Sequence, residues 1–271
     1  MNGIPTECYK LWGMGSGLSN TGYLFFDFIR EYWKNPDLDP DEFHQVRLTI
    51  LPKSGDLSDP NKWRGICLLD IASKVMSSII ADRLRNHLLT FGIDEECGHI
   101  GCADANFSIK SAIQILREHD MEAYVLFVDL VKAYDTINRD LMWKILTQYG
   151  VRDEMLVVIK NIYQDVTINL KVGEKMKKSG STCGVKQGDN LAPILFLIFM
   201  NGVATSLQKE WKFQIPQLRR RTDTTKRIPK EKLTGTNWKN KGKEFEYLNS
   251  YYVDDAAFIL LNRTDLEEAS R

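Results

Sequence analysis

The feature that most constrains the fold is an apolar segment, Ala123–Leu130, that contains a single charged residue, Asp129. Its other residues are β-branched, aromatic or aliphatic almost throughout, which is typical of a strand that is covered on both faces. We therefore predict a central β-strand with a carboxylate near its end. A buried carboxylate is costly unless a cation compensates it, so Asp129 is the first candidate for a functional residue.

A second pair of acidic residues, Asp254 and Asp255, interrupts an apolar segment later in the chain. Strand-like segments flank the predicted turn Tyr251–Asp255, which places the pair at the tip of a hairpin. Lysine or arginine side chains could compensate these carboxylates, or all three aspartates could bind divalent cations together. Magnesium prefers carboxylate oxygens, and two such ions can clamp the attacking and leaving oxygens of a phosphoryl transfer.

The remaining periodicities predict a mixed α+β chain. Helices are predicted over Tyr23–Trp33, Ile71–Leu89, Phe107–Arg117, Arg139–Tyr149, Asp153–Tyr163 and Gly188–Leu207. Strands are predicted over Val46–Leu51, Glu244–Ser250 and Ala256–Leu261, with a hairpin formed by Val166–Val172 and Lys175–Thr182.

Charge is balanced overall but unevenly distributed. The chain has 36 Lys and Arg against 36 Asp and Glu, yet residues 209–243 alone carry a net charge of +9. This segment is either a solvated insertion or a surface that tracks nucleic-acid phosphates. The cations that we single out for nucleic-acid contact are Arg219, Arg220, Arg221, Lys226 and Arg227.

The cysteine content and the hydropathy suggest an intracellular protein without a membrane segment. Five widely spaced cysteines favour reduced thiols over a disulfide framework. The longest apolar run, Leu191–Met200, is too short for a bilayer, which needs about 20 residues. A nuclear or a cytoplasmic location and any oligomeric state are both compatible with the sequence.

Four segments, taken together and in order, point to one family. They are Leu51-Pro-Lys53-Ser-Gly-Asp56 with Asn61-Lys-Trp-Arg64-Gly-Ile-Cys-Leu-Leu69, Phe127-Val-Asp129-Leu-Val-Lys-Ala-Tyr134-Asp135, Gly184-Val-Lys-Gln187-Gly188-Asp-Asn-Leu-Ala-Pro193, and Tyr252-Val-Asp254-Asp255. Their order and rough spacing resemble the motifs of reverse transcriptases, and the first segment resembles the branch found in non-LTR (LINE-type) retrotransposons.

The resemblance implies a polymerase palm, in which an antiparallel sheet packs on helices, together with part of the fingers. It divides the chain into an N-terminal helical or linker segment, 1–45, and a fingers–palm domain, 46–271, with a basic insertion at 209–243. Only sixteen residues follow Asp255. We therefore expect the thumb of the family to be missing and the chain to be truncated.

The resemblance also assigns the metal ligands. Asp129, Asp254 and Asp255 would be the catalytic triad that binds two Mg²⁺ or Mn²⁺ ions. The backbone carbonyl of Leu130 would complete the coordination of one ion.

The nucleotide site is assigned in the same way. Lys53 and Arg64 would come from the fingers and bind the triphosphate. Tyr134 occupies the position of the steric gate that excludes a ribose 2′-hydroxyl; the alternative is a core aromatic. Gln187 and Gly188 would open the helix that lines the nucleotide and template pocket.

The expected function is therefore that of an RNA-directed DNA polymerase, whose partners are an RNA template, a DNA primer and deoxynucleoside triphosphates. Two alternatives stay open: a catalytically inactive retrotransposon remnant, and an RNA-binding protein without enzymatic activity. A different palm enzyme, such as a nucleotide cyclase, would lack the Gln187-Gly188 motif.

Overall fold

A computed structural model describes residues 7–8, 19–38, 41–91, 102–211, 216–220, 243–247, 249–252 and 255–270 of the chain. They form two compact units. The first unit takes its described residues from positions 1–92 and 132–199, and the second from positions 93–131 and 200–271. No helix in this described part of the chain combines the length and the apolarity that crossing a bilayer requires.

A four-stranded sheet is the framework of the first unit. Its strands are β1 (Gln45–Pro52), β2 (Trp63–Leu68), β4 (Val166–Val172) and β5 (Lys175–Ser181). The strand order is β2-β1-β4-β5, with β1 parallel to β4 and the other two pairs antiparallel. The predicted hairpin is confirmed as the β4–β5 pair.

The helices of this unit bury apolar residues that recur at helical spacing. They are α1 (Asn20–Lys34), α2 (Asp41–His44), α3 (Ile71–Phe91), α5 (Ala133–Thr136), α6 (Arg139–Gln148) and α7 (Asp153–Tyr163), together with the first part of α8 (Ala192–Glu210), whose residues from Met200 onward belong to the second unit. Met76, Ile80 and Leu84 recur every four residues along α3 and are fully buried. Tyr32 of α1 stacks on Phe43 of α2 with ring centroids 4.4 Å apart.

The second unit contains a three-stranded antiparallel sheet and a two-stranded one. The first consists of β3 (Tyr124–Asp129), β9 (Asp255–Leu260) and β8 (Asn249–Tyr252) in the order β3-β9-β8, and the second pairs β6 (Gln217–Arg220) with β7 (Lys243–Glu246). Among the described helices, α4 (Cys102–Glu118) and α9 (Arg263–Ala269) lie wholly in this unit.

Apolar packing on β9 organises the second unit. Ile259 is fully buried in a cluster with Ala112 and Leu116 of α4, and with Leu218 and Tyr247. Burying an aliphatic side chain of this size stabilises the fold by about 1.5–3 kcal/mol. β9 is therefore the strand through which this sheet joins the apolar core of the unit.

The prediction that Ala123–Leu130 forms a central strand covered on both faces is wrong. Among the described strands, β3 lies at one edge of its sheet and β9 is central. The side chain of Phe127 is 72% exposed, whereas Ala256 and the four residues after it are all buried. Aromatic and β-branched content indicates strand propensity but does not determine the position of a strand within a sheet.

Candidate active site

Two of the predicted catalytic aspartates occupy directly paired positions on neighbouring strands of the second unit. β3 and β9 pair so that Asp129 is directly opposite Asp255, and both residues are exposed. Residues directly opposite on antiparallel strands lie on the same face with Cβ atoms about 4.5–5.5 Å apart. Two carboxylates at such positions can act on the same cation, whose charge favours their ionised form.

The predicted hairpin around Asp254 is confirmed, but its turn is shorter than predicted. β8 and β9 are antiparallel, and Tyr251 and Tyr252 pair with Ala256 and Asp255, so these residues lie in strands instead of the predicted turn. The predicted strand Glu244–Ser250 is wrong in extent, since β7 and β8 are separate strands of different sheets. Asp254 lies between Tyr252 and Asp255 in sequence and outside the described residues. Its place in a metal-binding triad stays a prediction.

The donor atoms of the aspartate pair fit a hard divalent cation. Within the described ranges, no three His, Cys, Asp or Glu side chains come close enough together to form a complete metal site. Mg²⁺, however, is usually bound through one or two carboxylates, with substrate phosphates and waters as its other ligands. Asp129 and Asp255 supply two such carboxylates, and the predicted ligand Leu130 directly follows Asp129.

The two predicted triphosphate ligands lie together on the β1–β2 hairpin of the first unit. Arg64 pairs with Leu51, and the Lys53 amide donates to the Lys62 carbonyl oxygen at 2.7 Å, so the pairing continues past β1. Because side chains alternate along a strand, Lys53 and Arg64 occupy diagonal positions on one face. Both are exposed, as a phosphate-binding role requires.

Tyr134 packs within the first unit. Its ring stacks on that of Phe196, with centroids 4.7 Å apart and planes 12° from parallel. Its carbonyl oxygen also accepts a hydrogen bond from the Val185 amide at 2.7 Å. The ring is half-buried and held in a fixed orientation. Its action against a 2′-hydroxyl stays a prediction.

Gln187 and Gly188 lie in a tight loop, residues 184–190, which we call the glycine loop. The Cys67 amide donates to the Gln187 carbonyl oxygen at 2.7 Å, which docks the loop on β2. Gly188 has a φ of +105°, and a Cβ there would lie 2.7 Å from the Cys67 carbonyl oxygen. Gly184 has a φ of +74°, and a Cβ there would also meet backbone, at 2.6 Å. Glycine is required at both positions.

The prediction that Gln187 and Gly188 open a helix is wrong. Helix α8 begins at Ala192, because the positive φ of Gly188 is incompatible with a right-handed helix. The predicted helix began four residues too early because Gly188 and Asp189 stand close before the apolar residues of α8.

A buried lysine in the glycine loop was missed by the sequence analysis. Lys186 is only 4% exposed, and its Nζ donates to the carbonyl oxygens of Phe43 at 2.9 Å and Ile162 at 2.8 Å. Burial lowers the pKa of Lys186 to about 8, against the opposing effect of the Asp189 carboxylate. The sequence gives little signal for this lysine, since its hydrogen-bond partners are backbone atoms of distant elements.

Asp189 compensates the charge of the lysine inside the protein. It is 3% exposed and accepts hydrogen bonds from the Tyr163 hydroxyl at 3.4 Å and the Leu191 amide at 3.3 Å. Burial raises the pKa of Asp189, while Lys186 acts in the opposite direction. Asp189 lies three residues before the start of α8, and its carboxylate offsets a buried cation.

Arg139 was also missed, and it joins the glycine loop to two other elements. Its guanidinium donates to four backbone carbonyl oxygens at 2.7–3.1 Å, those of Tyr163, Ser181, Cys183 and Gly184. Arginine suits this position because its planar group presents several donors at fixed angles. Hydrogen bonds from one buried lysine and one arginine therefore hold the glycine loop in place.

The predicted basic surface falls mostly outside the described residues. Arg219 and Arg220 lie in β6, where they pair with Glu244 and Lys243 of β7. Arg221, Lys226 and Arg227 lie outside the described residues. Nucleic-acid contact by these five cations stays a prediction.

Comparison with known proteins identifies the family. Residues 51–271 match the family model for "Reverse transcriptase (RNA-dependent DNA polymerase)". The chain is similar to the "Retrovirus-related Pol polyprotein from type-1 retrotransposable element R2" of Popillia japonica, at 28% identity over 172 residues, 62% of this chain and 24% of the relative. The type-2 element R2DM protein of Drosophila melanogaster is 25% identical over 175 residues, 63% of this chain and 16% of the relative. The chain thus spans about a quarter or less of the length of these relatives.

Solved structures share the fold. Apo telomerase of Candida tropicalis, truncated from the C-terminal domain, superposes with a TM-score of 0.56 at 15% identity, over 84% of this chain and 46% of that one. Telomerase of Candida albicans gives a TM-score of 0.57 at 14% identity, over 92% of this chain and 43% of that one. These identities are low enough that the likeness shows the fold alone, and it confirms the predicted α+β architecture of a polymerase palm.

The family match includes all four motif segments from which the sequence resemblance was drawn. The relatives named above are encoded by R2 elements, which are non-LTR retrotransposons. The chain therefore belongs to the reverse transcriptase family, as a domain of the non-LTR retrotransposon type.

Proposed function

We propose that this chain supplies the palm and part of the fingers of an RNA-directed DNA polymerase. The reaction adds a deoxynucleoside triphosphate to the 3′-hydroxyl of a DNA primer that is paired with an RNA template. The observation that carries the proposal is the Asp129–Asp255 pair, two exposed carboxylates directly opposite each other in a member of the reverse transcriptase family.

Asp129 and Asp255, together with Asp254 and the Leu130 carbonyl, would hold two Mg²⁺ or Mn²⁺ ions. Such ions, when bound, offset charge on the attacking and leaving oxygens of an in-line displacement. The ladder of β3 and β9 places the backbones of Asp129 and Asp255 directly opposite each other. This placement supports the proposal, because groups that are already positioned lower the reorganisation needed before the reaction.

Lys53 and Arg64 would bind the triphosphate of the incoming nucleotide. Their shared face and their exposure support this role, since cations there can neutralise charge on the leaving pyrophosphate. Tyr134 would exclude a 2′-hydroxyl, and Gln187 with Gly188 would line the nucleotide and template pocket. A structural neighbour, Candida albicans telomerase, is described in a complex with a fragment of telomeric RNA, which supports an RNA partner for this fold.

Primer extension tests the proposal. A labelled oligo(dT) primer on poly(rA), with dTTP and Mg²⁺, should be extended by the wild-type chain. Asp255→Asn should lower the incorporation rate by about a hundredfold or more. Asp104→Asn, which changes an exposed aspartate of α4 in the same unit, should leave the rate nearly unchanged.

Two results would contradict the proposal. Extension that survives Asp255→Asn would exclude this aspartate from the site. RNA binding without any incorporation by the wild-type chain would favour the inactive remnant or the RNA-binding protein.

A further inference from the structure

The two edges of the sheet in the first unit differ in what covers them. At one edge the glycine loop docks on β2, where the Cys67 amide donates to the Gln187 carbonyl oxygen at 2.7 Å. At the other edge, β5 is the outermost of the described strands. Lys175 and the five residues after it are all exposed. An exposed edge strand presents backbone groups to which a further strand can add.

The turn of the β4–β5 hairpin determines which backbone groups of β5 point outward. Two turn residues, Gly173 and Glu174, separate the paired residues Val172 and Lys175. A two-residue hairpin turn makes its flanking residues a hydrogen-bonded pair, and such pairs then recur at every second position. The residues between these positions direct both backbone groups away from β4. They are Met176, Lys178 and Gly180.

These outward groups are available for pairing. The Gly180 carbonyl oxygen accepts a long hydrogen bond, 3.4 Å, from the Ser179 hydroxyl. The other outward groups have no backbone partner outside the hairpin among the residues that the structure describes. The three outward-facing residues follow one another at about 6.8 Å along the strand, which is the repeat of another extended chain.

β5 lacks most of the features that prevent a strand from adding to an edge. It is seven residues long and contains no proline, and its register with β4 runs without a bulge from Lys175 to Ser181. The protective feature that it does have is charge, in the form of three lysines. Lysines on an edge oppose pairing with a second copy of the same strand, because like charges opposite each other are destabilising. They favour a strand that carries acids.

The charge of the whole sheet also favours an acidic partner. Its four strands contain six cations and no aspartate or glutamate, and three of the cations lie in β5. Within the described ranges, these three lysines form no ion pair with an acid. The acid nearest to them in sequence, Glu174, lies in the turn. This edge therefore has a positive field, although the chain as a whole is neutral.

The backbone geometry of the edge favours a peptide over a nucleic acid. An extended peptide offers donors and acceptors in alternation, so it can pair with both the amides and the carbonyl oxygens of β5. Phosphates offer acceptors alone and would leave the outward carbonyl oxygens of Met176 and Lys178 to water. The lysines fit either polyanion, whereas the ladder of backbone groups fits the peptide.

We propose that the open edge of β5 binds an extended acidic segment of a partner protein, which adds to the sheet as a fifth strand. The backbone of the segment pairs with the three outward-facing residues. Lys175 and Lys177 share one face of the sheet and Lys178 lies on the other, because side chains alternate along the strand. Acids at every second position of the segment therefore lie opposite the Lys175–Lys177 pair. The interaction does not require polymerase activity.

Fluorescence anisotropy with the full chain tests this assignment. The probe is a labelled peptide of five Thr-Glu repeats with blocked termini, whose threonines favour a strand and whose glutamates share one face. We expect the wild type to bind it, and to bind a peptide of five Thr-Lys repeats at least tenfold more weakly. Equal binding of the two peptides would overturn the inference, since the charge of the edge would then have no effect.

A methylated peptide separates strand addition from attraction between charges. It has the same five Thr-Glu repeats, with N-methyl groups on its four central residues, so it keeps every charge and loses donors along both of its edges. We expect it to bind at least tenfold more weakly than the unmethylated probe. Equal binding would overturn the inference, because the edge would then bind any polyanion, a nucleic acid included.

Two substitutions of Lys178 make the same separation in the protein. Lys178→Gln removes a charge and keeps the outward amide, so it should weaken binding of the Thr-Glu probe about two- to fivefold, since an exposed ion pair contributes little. Lys178→Pro also removes the amide, which does not bond to β4, and should weaken binding at least tenfold. Equal losses would overturn the inference. If Lys178→Pro lowers the melting temperature of the chain, the methylated peptide on the wild type decides alone.

Discussion

Two cations of the first unit, Lys186 and Arg139, bind the protein backbone instead of a substrate. Both donate to main-chain carbonyl oxygens, and Lys186 does so while almost completely buried. A buried charge is tolerated only when it is paired and hydrogen-bonded, and Asp189 provides the pairing. These side chains fix the glycine loop, so they act on the site by positioning it.

Replacing Lys186 should be strongly destabilising. Lys186→Met leaves the Phe43 and Ile162 carbonyl oxygens without this donor and the Asp189 carboxylate without its compensating charge. We expect a loss of about 3–5 kcal/mol in the free energy of unfolding, measured with urea. Lys160→Met, at an exposed position of α7, should change it by no more than about 0.5 kcal/mol. Similar losses in the two variants would contradict the structural role of Lys186.

The same lysine should give a recognisable pH dependence. Its pKa is about 8 in the folded protein and 10.5 is the ordinary value, so the unfolded chain binds more protons between these limits. Stability contributed by this group therefore rises with pH from 8 to 10.5. We expect the difference in unfolding free energy between wild type and Lys186→Met to increase over this window. Burial raises the pKa of Cys67 to about 11 against the opposing effect of Lys186, so in the folded wild type this thiol titrates above the window. A difference that shrinks with pH would contradict the lowered pKa.

The glycine loop is the element on which the proposed nucleotide pocket would depend. It is short, contains two glycines with positive φ, and is hydrogen-bonded to β2 through Gln187. Its conformation places Gln187 and Gly188 before α8 and outside the helix. A substitution that moves the loop should therefore affect nucleotide binding without touching either aspartate.

Gly188→Ala should show how tightly the loop is packed. The new Cβ would clash with the Cys67 carbonyl oxygen at 2.7 Å, in addition to the cost of the positive φ. Gly173→Ala in the β4–β5 turn is the matched control, because its φ is +60° and nothing lies within 4 Å of the new Cβ. We expect about 1 kcal/mol of destabilisation in the control and at least about twice that in Gly188→Ala, measured by thermal unfolding. Equal effects would show that the loop yields to the extra methyl group.

Local elements were predictable from the sequence wherever local chemistry determines them. Helix α3 and the β4–β5 hairpin were predicted within two residues, because helical spacing and a glycine turn are local signals. The position of β3 at a sheet edge and the start of α8 were not predicted. Both depend on contacts with distant elements: the pairing of β9 between β3 and β8, and the docking of Gly188 on β2.

At the scale of the whole molecule, the predicted site residues are distributed over the two compact units. Asp129 and Asp255 belong to the second unit, while Lys53, Arg64, Tyr134, Gln187 and Gly188 belong to the first. The sequence predicted this set through its motifs, and the structure brings the two described aspartates together in register. The apparent neutrality of the chain conceals an acid-free sheet with six cations.

The most direct test of the central claim is Mn²⁺ binding, measured from the paramagnetic resonance signal of the free ion in the presence of the chain. This measurement reports on the carboxylate pair even if the chain alone synthesises DNA poorly. We predict that the wild type binds Mn²⁺ and that Asp129→Asn weakens the affinity by about tenfold or more, since one of two facing carboxylate ligands is lost. The Asp104→Asn control should bind as the wild type does. An Asp129→Asn variant that binds Mn²⁺ with unchanged affinity would contradict the assignment of this pair as the metal-binding centre.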